Sequence, residues 1–174
     1  GDGISLTQVA DGAAATIGSL LSRMRELATQ SASGTLGTTE RSYLDQEFVA
    51  LRSEIDRIST TTEYNGQPLL SGSSNTFEVF IGFKSGSGNS LSVALDDLDV
   101  AAVGLTGASV STATAAQSML AKIDSAVSAV ATARANYGSI QSRFEVAIQN
   151  LTVTAENFTA AESRIRDADI AQET

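Results

Sequence analysis

The chain contains no cysteine, histidine or tryptophan, and only one proline among its 174 residues. Without Cys or His there can be no Cys/His zinc site, no thiolate nucleophile and no Ser-His-Asp triad. Without Cys there is also no disulfide framework, so packing alone must hold the fold. Aromatics make up only 5% of the chain, and basic residues are few, with 11 Lys+Arg against 20 Asp+Glu and a net charge of −9. That balance argues against nucleic acid or an anionic membrane as the main partner, because both require a basic footprint. No stretch approaches the roughly 20 apolar residues of a membrane span. The opening Gly1-Asp-Gly-Ile-Ser-Leu6 lacks the basic and apolar regions of a signal peptide. The chain reads as soluble and acidic, with no cofactor, no metal site and no catalytic constellation.

What the chain has in abundance is Ala, Ser and Thr, together roughly two-fifths of its residues. Its patterning is mainly helical. From residue 2 to about 31, Ile17, Leu20, Met24 and Leu27 step by three, four and three, with Leu21 and Ala28 beside them. Gly34 and Gly37 interrupt this helix, and Thr38 or Thr39 is expected to cap the next. That second helix, about 40–60, carries Leu44, Phe48, Leu51, Ile55 and Ile58 in heptad spacing. Thr60, Thr61 and Thr62 end it, and Glu63-Tyr-Asn-Gly66 reads as a turn.

Between about 76 and 97 the period changes to two. Phe77, Val79, Ile81 and Phe83 alternate with other residues, as do Leu91, Val93 and Leu95, around a glycine-rich loop. This predicts a β-hairpin. Leu98, Val100, Val103 and Leu105 continue an apolar stretch of undefined type.

From about 112 to 168 there is no Pro and the only Gly is Gly138. Ile123, Val130, Tyr137, Phe144, Leu151, Phe158 and Ile165 recur at intervals of seven, and three residues later stand Ala126, Ala133, Ile140, Ala147, Thr154, Ala161 and Ala168. Large residues in register beside a mostly small seam predict one long helix packed closely against others. Such a helix would reach roughly 80 Å, whereas a compact domain of this size is only about 30 to 40 Å across. The expected fold is therefore an elongated, coiled-coil-like rod of three helices, one domain over residues 1–174, with the hairpin packed on one side. Both shorter helices are expected to run antiparallel to each other along the long one.

Three blocks of sequence, in order, resemble bacterial flagellin. The first is Arg23, Arg25, Glu26, Leu27, Ala28, Gln30 and Ser31, which matches the family's Arg-x-Arg-Glu-Leu-Ala-x-Gln-Ser pattern. The second is Glu54-Ile-Asp-Arg-Ile58 followed by Glu63-Tyr-Asn-Gly66. The third comprises Arg143-Phe144, Ile148, Asn150-Leu151 and the stretch from Ser163 to Asp169. The resemblance implies a structural subunit of the extracellular flagellar filament that polymerises with other flagellin subunits and, when intact, meets an export chaperone or assembly factor. It also implies that the terminal polymerisation segments are missing here, so that this stretch alone should be a monomer. A hook-filament junction protein, or another secreted coiled-coil binding module, is the alternative.

The resemblance further assigns Arg23, Leu27 and Glu47 to the rod surface where Toll-like receptor 5 docks. Read from the residues alone, Arg23 and Glu47 are ordinary solvated charges of a helical rod. Asp96, Asp97 and Asp99, with Glu78, lack the spacing of a calcium loop and read as solvated hairpin charges. The Gly86-Ser-Gly88 loop lacks the Lys-Ser/Thr and helix start of a phosphate cradle. Tyr137 and Phe144, on the heptad stripe, are expected in the core. Ser and Thr around residues 71–76, 85–92 and 106–114 read as exposed turn composition, with O-glycosylation a secondary possibility.

Overall fold

The computed structural model describes residues 1–72, 75–82 and 89–172. Three helices dominate: α1 (Asp2–Ala32), α2 (Thr38–Thr61) and α3 (Ala113–Gln172). Two antiparallel strand pairs lie between α2 and α3, first β1 (Glu63–Tyr64) with β2 (Gln67–Pro68), then β3 (Asn75–Phe80) with β4 (Ser90–Leu95). Phe83 and residues 73–74 and 84–88 lie outside the described residues, as do the side chains of Ala168 and Asp169. At 60 residues, α3 extends roughly 90 Å by its rise alone, so the molecule is a rod.

The buried positions explain why α1 and α3 pair. On α3, Ala116, Met119, Ile123, Ala126, Val130, Ala133, Tyr137, Ile140 and Phe144 are buried, a strict alternation of three- and four-residue steps. On α1 the buried row is Gly3, Thr7, Ala10, Ala14, Ile17, Leu21, Met24, Ala28 and Ser31, with the same alternation. Two such seams interlock as knobs into holes. The helices run antiparallel: Gly3 meets the ring of Phe144, Asp11 meets Arg134, Arg25 meets Asp124, and Ser31 meets Val110. Small residues are interspersed in both rows, Gly3, Ala10, Ala14 and Ala28 on α1 and Ala116, Ala126 and Ala133 on α3, which lets the two backbones approach closely.

Several expectations are corrected by these contacts. Leu20 is only half-buried, because the centre of the α1 seam runs through Ile17, Leu21, Met24 and Ala28. On α2, Phe48 and Ile55 are fully buried, while Leu44, Leu51 and Ile58 are half-buried at the edge of the core. The heptad of α3 does not remain core to its end. Ile123, Val130, Tyr137 and Phe144 are buried and Leu151 is half-buried, but Phe158 is 66% and Ile165 71% exposed. The reason is geometric: α1 reaches along α3 only as far as Phe144. Nor does α2 lie along α3 beside α1. It packs chiefly on α1 and is tied to the segment that leads into α3.

Helix ends differ from expectation in one detail. The residue capping α2 is Gly37, and neither Thr38 nor Thr39 supplies a side-chain cap. Thr112 does so for α3, its hydroxyl accepting the Ala115 backbone N–H at 3.1 Å. In the larger hairpin, Phe77 pairs with Val93 and Val79 with Leu91. Its inner face sets Leu91, Val93 and Leu95 into the core against α3, leaving Phe80 exposed on the outer face. The irregular stretch that follows buries Leu98, Val103, Leu105, Ala108 and Val110. This stretch contributes core residues without regular structure, and its turns put Gly104 and Gly107 at positive φ.

Candidate interaction surface on the rod

The charged candidates meet between α1 and α2, beside the first turns of α3. Arg23 leaves the outer face of α1 and Glu47 the facing side of α2. Nε of Arg23 donates to Oε1 of Glu47 at 2.8 Å, and Nη2 approaches the same oxygen at 2.8 Å. Nη1 donates to Oε2 of Glu26, one turn along α1, at 2.9 Å. One guanidinium thus bridges two carboxylates from different helices. The bonds to Glu26 and then Glu47 raise the Arg23 pKa further, so the cation is fixed at every physiological pH. Side-chain exposure of 49% for Arg23, 67% for Glu26 and 44% for Glu47 keeps this cluster in water. An exposed pair of this kind adds little to stability, because water screens it. Its value is instead an ordered, charged feature on an otherwise smooth helical surface.

Leu27 is not part of that feature. At 1% exposure it lies in the core, one turn from Arg23 but rotated inward. Its effect on a bound partner would pass through the seating of α1, not through contact. Glu26 takes its place on the surface, and it was present in the sequence motif without a signal that it would share the guanidinium.

A second set of charges on α2 organises the backbone around this surface. Arg41 donates to three carbonyls, with Nε to Ser31 at 2.9 Å, Nη1 to Leu36 at 2.6 Å and Nη2 to Ser33 at 2.7 Å. It therefore satisfies carbonyls left open at the end of α1 and fixes the turn into α2. Oδ1 of Asp45 accepts the Val110 backbone N–H at 2.6 Å and the Ser109 hydroxyl at 2.8 Å. Nη1 of Arg52 donates to the Ala108 carbonyl at 2.6 Å. Sequence reading missed all three. Their shared face, beside the apolar stripe of Leu44, Phe48, Leu51 and Ile55, was the available signal.

The acidic trio beside the hairpin is used locally. Oδ1 of Asp97 accepts the Asp99 N–H at 3.1 Å, and Oδ1 of Asp99 accepts the Ala102 N–H at 2.7 Å. Asp96 holds α3 through Asn136, whose amide donates to Oδ2 at 3.3 Å, and through the Tyr137 hydroxyl, which donates to its carbonyl at 3.4 Å. These contacts are structural turns and a strand-to-helix tie. Among the described residues no group of His, Cys, Asp and Glu has the arrangement of a metal site.

Comparison with known proteins decides the family. The family model for the bacterial flagellin N-terminal helical region matches residues 1–75, and that for the C-terminal helical region matches residues 120–174. Over 172 residues the chain is 41% identical to flagellin of Halalkalibacterium halodurans, spanning 99% of itself and 63% of that protein. Over 206 residues it is 34% identical to flagellin of Bacillus subtilis, spanning 99% of itself and 67% of that protein. The chain belongs to the flagellin family. It spans about two-thirds of the length of these curated relatives. Its fold superposes on the crystal structure of Bacillus cereus flagellin with a TM-score of 0.72 at 31% identity, covering 92% of each chain. The structure of FliC from Burkholderia pseudomallei shares the fold at 18% identity, with a TM-score of 0.67 over 82% of this chain. The N-terminal match covers α1 and α2, and the C-terminal match covers most of α3.

Proposed function

We propose that this chain is the rod-forming part of a structural subunit of the extracellular bacterial flagellar filament, polymerising with other flagellin subunits and serving motility. Membership of the flagellin family, together with a rod built on two long interlocked heptads, supports this reading. The observation that carries it is the seam between α1 and α3, where two rows in three- and four-residue steps interlock, largely within the stretches that the flagellin N- and C-terminal helical regions match. An export chaperone or assembly factor would meet the subunit before polymerisation. The role is mechanical and no catalysis is involved. Immunogold electron microscopy of the bacterium that encodes the chain tests the reading, using antibody raised against it. Labelling along the length of the flagellar filament is expected, and filaments that never label would overturn it.

The surface around Arg23 and Glu47 docks Toll-like receptor 5 on this reading, with Leu27 supporting α1 from within. Matching of the Arg-x-Arg-Glu-Leu-Ala-x-Gln-Ser block and the exposure of the ion-paired cluster support it. Purified receptor ectodomain should bind the chain, and both Arg23→Ala and Glu47→Ala should weaken binding while leaving the melting temperature nearly unchanged. Absence of binding, or binding by both variants as tight as that of the unmutated chain, would sink this assignment.

A further inference from the structure

The tight turn between β1 and β2 carries chemistry that neither the packing of the rod nor the proposed docking surface uses. Asn65 has φ of 52° and Gly66 φ of 74°. Two consecutive positive values define a type I′ turn, for which Asn-Gly is the favoured pair. Both residues are exposed, and the space a Cβ would occupy on Gly66 is open. Asn-Gly is also the pair most prone to internal ring closure, because no side chain on the second residue shields its nitrogen.

The reaction is self-contained. Base removes the proton from the Gly66 backbone nitrogen, which attacks Cγ of Asn65. The new N–Cγ bond closes a five-membered imide, the Cγ–Nδ2 bond breaks, and the leaving nitrogen takes up a proton to depart as ammonia. Water then opens the imide at either carbonyl, giving aspartate or isoaspartate. Closure requires the attacking nitrogen to be nearly eclipsed with Cβ about the Cα–C bond of Asn65. The left-handed conformation of Asn65 turns that nitrogen to the opposite side, anti to Cβ. The same turn that makes Asn-Gly favourable therefore holds the pair in its unreactive geometry.

The turn is held from both ends. Tyr64 pairs with Gln67 and Glu63 with Pro68. Just beyond, the Leu69 N–H donates to the Thr62 carbonyl at 3.0 Å, and Leu69 and Leu70 are fully buried. Other asparagines are placed differently. Asn136, Asn150 and Asn157 lie within α3 ahead of Tyr137, Leu151 and Phe158, whose bulk hinders attack. Asn89 precedes Ser90 at the start of β4, and its carbonyl accepts the Ile81 N–H at 2.7 Å.

We propose that Asn65 is a folding-gated modification site, open to imide formation while the chain is unfolded and closed once the β1–β2 turn forms. Either product replaces the Asn65 amide with a carboxylate two residues from Glu63, and the isoaspartate product also inserts a methylene into the backbone. The two-residue turn could then no longer form in its register. A chain held unfolded too long would carry a permanent mark at this position.

The test compares the purified chain, folded and in concentrated urea, at the same mildly alkaline pH. Peptide mapping by mass spectrometry, with isoaspartyl methyltransferase labelling, follows each asparagine over time. Asn65 should convert first in urea, and Gly66→Ala should slow it there. In the folded chain conversion should be slower by the fraction of time the turn is open, about tenfold for an opening cost of about 1.4 kcal/mol. Leu69→Ala, which loosens the anchor of the turn, should bring the folded rate towards the urea rate. Equal rates at Asn65 in folded and unfolded wild-type chains would overturn the proposal, as would faster conversion at Asn89 in urea.

Discussion

Gly3 lies directly beneath the aromatic ring of Phe144, so close that a methyl group added to Gly3 would enter the ring. This is the last point at which α1 covers α3. The glycine is required there by space and not by backbone conformation, since Gly3 lies within α1 with helical geometry. Gly18, farther along the same helix, faces Val130 at an ordinary van der Waals distance of 3.7 Å and has room for a methyl group.

Gly3→Ala should accordingly destabilise the rod by about 1 to 3 kcal/mol, the usual cost of forcing extra volume into a packed site. Gly18→Ala should be neutral or stabilising, because alanine is the better helix former. Pairing Gly3→Ala with Phe144→Leu should recover part of the loss, which urea unfolding of the two single variants and the double variant would reveal as a coupling energy. Strictly additive losses would contradict the contact.

The exposed end of α3 gives a contrasting pair. Phe144→Ala should cost about 3 to 5 kcal/mol, as for other buried aromatics, because its ring is 3% exposed. Ile165→Ser, on the same heptad row but 71% exposed, should leave the urea midpoint nearly unchanged. A large loss from Ile165→Ser would mean that the row is covered over its whole length.

Arg41 should be a stability hot spot through its contacts with backbone carbonyls. Its three carbonyl bonds are made by one part-buried cation, and bonds to a charged group contribute roughly 1.5 to 3 kcal/mol. Arg41→Ala should therefore cost about 2 kcal/mol or more, and Arg41→Lys should recover little, since an ammonium cannot span three acceptors. Hydrogen exchange at the turn between α1 and α2 should quicken in both variants.

Tyr137 makes the alkaline limit of stability predictable. Burial first, and the nearby Asp96 charge second, push its phenol well above the ordinary tyrosine value near 10. A group whose pKa is raised by folding stabilises fully below its unfolded pKa, and that contribution is lost as pH rises above it. Stability should thus decline from about pH 10 upward. Tyr137→Phe should flatten that decline while costing little at neutral pH, because the hydroxyl bond to the Asp96 carbonyl is long, at 3.4 Å. Tyrosinate absorbance should show a component above the ordinary tyrosine range that Tyr137→Phe removes.

Much of the rod was legible in residue order, because helix pairing writes itself as spacing. The row Ile123, Val130, Tyr137 and Phe144 with Ala126 and Ala133 beside it specified a closely packed helix. The alternation of Phe77, Val79, Leu91 and Val93 specified the hairpin and its inner face. The Arg23–Glu47 pair was suggested by family resemblance, and the fold placed the two in contact. Spacing could not show that Leu27 turns inward while Glu26 shares the guanidinium, since neighbouring positions on a helix differ only in rotation against a partner.

Local pattern by itself determined the three helices and the larger hairpin, because side-chain periodicity follows from backbone geometry, while the short β1–β2 pair around the Asn65-Gly66 turn is too brief to show a period. How far each apolar row is covered was decided only in three dimensions. Phe144 and Ile165 occupy equivalent heptad positions and have similar chemistry, yet one is core and the other surface. The difference is that α1 lies opposite the first and not the second. Burial belongs to a pair of elements and not to a residue, and so do the long-range ties of Arg41, Asp45 and Arg52 to backbone that is distant in sequence or bent away from regular structure.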